Sequence, residues 1–185
     1  MDTLTVSEAK RRLSEPVSQA SAGEAPGLEI PAAALAAAAA HAEAAYPEEC
    51  CGILVGRPLV GAAGAGEGGA VHPGAAVARA VAADNERDAE RRSRYTIAPE
   101  AVLAADRAAR AEGLAIVGYY HSHPDRPAEP SAFDREHAWP GVSYLIVPVA
   151  AGRAGAARSW RLAAGRAGFV EQAVVATGEP RENET

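Results

Sequence analysis

Cysteine, aromatic residues and dense positive charge are all scarce in this chain, and each scarcity removes a class of protein from consideration. The two cysteines, Cys50 and Cys51, are adjacent. They make a poor pair for an ordinary disulfide, which excludes a disulfide-built extracellular scaffold. Aromatic residues make up 5% of the 185 positions, so the core has to be assembled from alanine and other small side chains around a few Leu, Ile, Val, Tyr and Trp anchors. The net charge is −6, and Arg91, Arg92 and Arg94 form a local basic cluster. Nucleic acid is not expected as a partner, because phosphate binding needs clustered Lys and Arg. Long apolar runs are missing too. The alanine-rich stretch from Ala32 to Ala40 is too short and too weakly apolar to span a bilayer, and Met1 to Pro16 carries no apolar segment of a secretory signal. A reduced, cytoplasmic setting without membrane association is expected.

What is present supports one domain with a sizeable core. Three parts are expected: a flexible N-terminal extension over 1–27, a folded domain over 28–177 and a disordered tail over 178–185. In the extension, Thr5 and Glu8 have the spacing of a capping box, but its Ser, Glu, Ala and Pro offer little to a core. Strands are expected at Leu28–Ile30, at Ile53–Val55 closed by Gly56, and from Val71 to about Ala83 after a Gly/Ala loop from Gly61 to Gly69. Further strands are expected at Tyr95–Ile97, Leu114–Tyr120, Val142–Val149, Ser159–Leu162 and Phe169–Val175. A helix should follow Pro31 to about Ala45, and another should run from Pro99 to about Glu112 with Val102 and Leu103 inward. A helical turn is expected from Ser131 to about His137. The fold class is α/β, a mixed β-sheet flanked by helices.

The stretch His121-Ser122-His123-Pro124, followed by Ser131 and Asp134, reads H-S-H-x₇-S-x₂-D. Alternate residues of a strand face the same side, so His121 and His123 can offer ring nitrogens to one ion. The loop bracketed by Pro124, Pro127 and Pro130 can return Asp134 to that point. Two neutral nitrogens and one carboxylate leave the fourth position of a tetrahedral zinc open, the mark of a catalytic site; the same ligands accept iron or cobalt. Upstream lies Tyr46-Pro47-Glu48-Glu49-Cys50-Cys51-Gly52-Ile53-Leu54-Val55-Gly56. A glutamate just ahead of a buried strand could sit beside a metal carried by the neighbouring strand.

Together the two segments resemble the JAMM metallopeptidase family, whose fold is the MPN or JAB domain, cytidine-deaminase-like in class. Its pattern is P-x-E-x-C-G-x-L-x-G, then H-[ST]-H-x₇-S-x₂-D. Both halves stand here in that order, and the resemblance covers about Leu28 to Val175. It implies a stand-alone prokaryotic member in which His121, His123 and Asp134 hold zinc. Glu49, two before Cys51-Gly52, would be the catalytic glutamate, and Ser131 would donate to the oxyanion. It further implies a peptidase or isopeptidase acting after the C-terminal Gly-Gly of a ubiquitin-like or sulfur-carrier protein. A deubiquitinase-like enzyme of a bacterial conjugation system is the alternative substrate setting, and a non-catalytic metal-stabilised interaction module is the alternative class. An amidohydrolase barrel would need about 250 residues or more.

Other groups have quieter expectations. Ser122 should alternate away from the ligand face, and His137 should be a supporting or surface group. His41 and His72 are expected at the surface, Cys51 as a small buried side chain, and Asp125 and Glu129 in a solvated loop.

Overall fold

The computed structural model describes residues 27–59 and 74–178. The Thr5/Glu8 capping box, the Gly/Ala loop, His72 and nearly all of both terminal segments fall outside them. The strands are β1 (Leu28–Pro31), β2 (Cys51–Leu59), β3 (Gly74–Ala83), β4 (Ala115–Pro124), β5 (Ser143–Ala150), β6 (Arg153–Ala154), β7 (Arg158–Leu162), β8 (Phe169–Gln172) and β9 (Val174–Thr177). The helices are α1 (Ala32–Ala45), α2 (Pro99–Ala111) and α3 (Ala132–His137). The expected mixed sheet flanked by helices is what forms, in the order β8-β7-β5-β4-β2-β3-β1-β9 with β6 beside β5. β4 is its hub, antiparallel to β2 and parallel to β5. The strands at the two ends of that order, β8 and β9, are joined through Ala173 alone, so one extended segment serves both edges.

Two apolar clusters lie on opposite faces. Under α1, Ala34, Ala38 and Ala42 recur one helical turn apart and pack with Leu54, Tyr120, Leu145 and Val147. Their methyl groups let the helix approach the sheet closely, as the alanine-rich sequence implied. On the other face, Val102, Ala105 and Ala109 of α2 meet Ile53, Ile116, Tyr119 and Tyr144. Pro99 opens α2, Glu100 lies in its first turn and Arg110 in its last, an arrangement that suits the helix dipole. Its inner face also buries Asp106, whose Oδ2 accepts from Arg110 Nε at 2.8 Å.

Three local expectations need correction. β2 does not close at Gly56 but continues to Leu59 across a register shift there. Tyr95–Ile97 is not a strand; Asn85 Oδ1 accepts from Thr96 N at 3.2 Å and the Tyr95 ring is drawn onto His121. Their β-prone side chains serve a braced loop instead. His41 is half-buried rather than at the surface, with Nδ1 2.9 Å from the Tyr120 hydroxyl.

Gly52 is where close approach demands a glycine. A Cβ there would stand 2.1 Å from Tyr120 Cε1 and 2.5 Å from Val81 O. Because one of these atoms is backbone, Gly52→Ala should destabilise the fold by about 2–3 kcal/mol, the upper range for overpacking. Thermal unfolding would show the loss, and an unchanged midpoint would contradict the packing.

Candidate metal centre

β4 and α3 build the centre between them. β4 carries His121 and His123 on the face of Tyr119, while Ser122 alternates to the other face, where its Oγ accepts from Cys50 N at 2.8 Å. Ser131 caps α3 and Asp134 is its N3 residue: the hydroxyl accepts from Asp134 N at 3.1 Å and donates to Asp134 Oδ2 at 2.6 Å. The chain is thereby turned so that the Asp134 carboxylate faces the histidines.

The geometry fits a tetrahedral ion. His121 Nε2 stands 3.1 Å from His123 Nε2 and 3.4 Å from Asp134 Oδ1, and His123 Nε2 is 3.7 Å from Asp134 Oδ2. Ligands at zinc–nitrogen bond lengths in a tetrahedron lie about 3.3 Å apart. His123 Nδ1 is 2.8 Å from the Pro127 carbonyl, which places its proton on Nδ1 and leaves Nε2 as a lone pair. His121 is completely buried, and burial pulls its pKa down to about 4, with Asp134 opposing. A neutral imidazole results at physiological pH. Burial alone would raise the Asp134 pKa, but bonds to His123 and Ser131 and the nearness of His121 hold it below the usual carboxylate range. All three ligand atoms lie within 4.8 Å of one another.

Glu49 joins them through the strand register. Cys51 pairs with His121, and Ser122 N donates to the Cys50 carbonyl at 3.1 Å. Continuing that antiparallel register brings Glu49 opposite His123. Glu49 is buried, whereas neighbouring Glu48 is half-exposed and pairs with Arg91 at 2.7 Å. Burial raises the Glu49 pKa to about 7, against the lowering influence of His123 and Arg126. Its backbone is braced at both ends: Glu49 N donates to the Arg91 carbonyl at 2.7 Å and its carbonyl accepts from Asn85 at 3.1 Å.

Arg126 and Tyr95 escaped the sequence reading. Arg126 Nη2 donates to Glu49 Oε1 in a close ion pair. Its loop is pinned by Asp125, which accepts from the Tyr46 hydroxyl at 3.0 Å and Ala151 N at 3.3 Å. The Tyr95 ring stacks on His121 with centroids 4.7 Å apart. No local pattern in the sequence marked either residue as part of the site. Asp125 and Glu129 are exposed, as a solvated loop implies, and Glu129 pairs with Arg158 at 3.0 Å. His137 is exposed and stacked on Phe133 at 4.0 Å. Cys50 and Cys51 are both buried, and burial pushes the Cys51 thiol up to about 12, so neither is an activated thiol.

α3 stands between two clefts. One, of about 360 Å³, is lined by Tyr95, Ile97, Tyr119, Phe133, Asp134 and Trp139. The other, of about 340 Å³, is lined by Ser131, Arg135, Trp160 and Phe169.

Comparison with known proteins bears on the family and the fold. A family model described as prokaryotic homologues of the JAB domain matches residues 31–163. A protein of Haloferax volcanii named Desampylase is 39% identical over 99 residues, which cover 53% of this chain and 60% of that protein. The chain thus spans under two thirds of that relative. A solution structure from Salinibacter ruber is 38% identical, with a TM-score of 0.58, covering 81% of this chain and 92% of the other. One from Desulfitobacterium hafniense is 26% identical, with a TM-score of 0.65, covering 83% and 95%.

Proposed function

This chain belongs to the family of prokaryotic homologues of the JAB domain, and on that premise we propose that it is a zinc-dependent peptidase or isopeptidase. Its substrate is an amide following the C-terminal Gly-Gly of a ubiquitin-like or sulfur-carrier protein. The observation that carries the reading is the convergence of His121, His123 and Asp134 beside a buried glutamate. The name of the Haloferax relative supports a hydrolase. Gly-Gly is small enough to lie in a cleft beside α3, with the carrier body outside.

His121 Nε2, His123 Nε2 and one Asp134 oxygen would hold the ion, which when bound polarises the scissile carbonyl and acidifies water. The remaining chemistry falls to side chains. Arg126 occupies Glu49 Oε1, so Oε2 is the oxygen that takes a proton from the attacking water and returns it to the leaving amine. Tyr95 covers one face of His121 and limits entry of bulk water from that side. Ser131 keeps Asp134 aimed. A hydroxyl carries one proton, so the Ser131 bond to Asp134 competes with any bond to the developing oxyanion.

Arg126 should matter measurably under this reading. Arg126→Met should lower kcat about 10–100-fold, the equivalent of one hydrogen bond to a charged group, with metal content unchanged. Arg126→Lys should recover part of the loss. Steady-state kinetics beside metal analysis would test it, and full activity in Arg126→Met would remove the arginine from the site's chemistry.

The test of the function is cleavage of a panel of ubiquitin-like carriers extended beyond Gly-Gly, with and without chelator. Cleavage that stops on chelation and returns with zinc is expected. Stoichiometric metal with no carrier cleaved would favour an interaction module.

A further inference from the structure

On the sheet face opposite the histidines, β5, β7 and β8 gather Ser143, Ser159, Arg161 and Gln172. Ser143 lies directly across from Arg161, Leu145 from Ser159, and Ser159 from Gln172. Directly opposed residues of an antiparallel pair share a face, and so do alternate residues of one strand. The face is that of Leu145 and Val147, beside α1. Gln172 Nε2 donates to both serine hydroxyl oxygens at 2.9 Å. Each hydroxyl thus acts as an acceptor and keeps its own hydrogen for another group.

Arg161 is 6% exposed, yet its Nε and Nη1 have no hydrogen-bond partner among the described residues, and neither has Gln172 Oε1. Burial lowers the Arg161 pKa to about 10, with no acidic neighbour among the described residues opposing it. A buried cation with no counter-charge is strongly unfavourable by itself. Val170, across from Arg161 on β8, is 59% exposed, so the strand next to the arginine lies at the protein surface.

We propose that Arg161, Ser143, Ser159 and Gln172 form a binding site for a carboxylate that carries an N–H donor beside it, as at the end of a peptide chain. The guanidinium and the two hydroxyls donate to the carboxylate oxygens, and Gln172 Oε1 accepts from the adjacent N–H. The unused donors and the unused acceptor are matched together by such a ligand, whereas an inorganic oxyanion leaves Gln172 Oε1 without a donor. The site is separate from the metal centre, so it stands or falls independently of the peptidase reading.

The experiment is thermal unfolding and calorimetric titration of the full chain with N-acetylglycine, acetate, phosphate and chloride at equal ionic strength. N-acetylglycine should raise the midpoint by about 3–5 °C at ten times its dissociation constant. Acetate should do less, and Arg161→Met should abolish the response while leaving metal binding intact. If Arg161→Met does not fold, the Ser143→Ala/Ser159→Ala pair takes its place and should weaken N-acetylglycine binding at least fivefold. Equal responses in wild type and variant would overturn the site, as would no response in either. A stronger response to phosphate than to N-acetylglycine would overturn the carboxylate assignment.

Discussion

Replacing Glu49 by glutamine should leave the metal content of the protein unchanged and lower turnover by about 10³-fold or more. Glutamine keeps the size of the side chain and an oxygen that can accept from Arg126, so the packing around the buried position survives. What it removes is the ability to take a proton, and general acid–base catalysis by one positioned group is worth about 10²–10⁴-fold. Because the same group is proposed to act twice, on water and on the leaving amine, the upper part of that range is expected. Single-turnover cleavage of a Gly-Gly-extended carrier, run beside metal analysis of the same sample, separates the outcomes. Turnover within a few-fold of wild type would remove Glu49 as the base. Loss of metal together with turnover would show that Glu49 supports the ion instead.

Substituting Asp134 with asparagine should weaken zinc retention by more than about 100-fold, since loss of merely a supporting bond to a ligand costs about 10–100-fold. The effect has two parts. The anionic oxygen that balances the charge of the ion is lost, and the 2.6 Å contacts from Ser131 N and Ser131 Oγ then meet an amide rather than a carboxylate. Competition with a chromogenic chelator gives the affinity directly. Unchanged affinity would mean that the two histidines recruit a different third ligand.

The site was legible in the sequence to the extent that covalent spacing encodes it. His121 and His123 are two apart on a strand, and Ser131 and Asp134 are an N-cap and its N3 residue, so local backbone geometry aims them. Glu49 could be chosen over Glu48 only by resemblance; in the structure the register sets Glu49 opposite His123, whereas Glu48 pairs with Arg91. Arg126 was illegible because its partner is distant in sequence, and no local pattern tells a loop arginine to fold back on a particular carboxylate. Tyr95–Ile97 misled for the opposite reason. Its β propensity is real, but propensity in such residues reports a fit to a half-buried surface, and here that surface includes the His121 ring. Asp106 and Arg161 were invisible as buried charges, since burial of a polar residue depends on what packs above it. At the end of the domain the sequence suggested one strand, Phe169–Val175. The structure divides it at Ala173 and uses its two halves at opposite edges.

That division has a consequence for how the protein reaches its native state. Leu28 of β1 is a cross-strand neighbour of Val174 of β9, so contacts between the first and last of the described strands are part of the finished sheet. Loop closure over nearly the whole domain has to precede that pairing, and topologies dominated by such distant contacts fold slowly. Until residues 169–177 arrive, β7 and β1 each expose an edge that in the native sheet β8 and β9 cover. During synthesis on the ribosome the partly made chain therefore has two open edges available to neighbouring chains, and one short segment closes both.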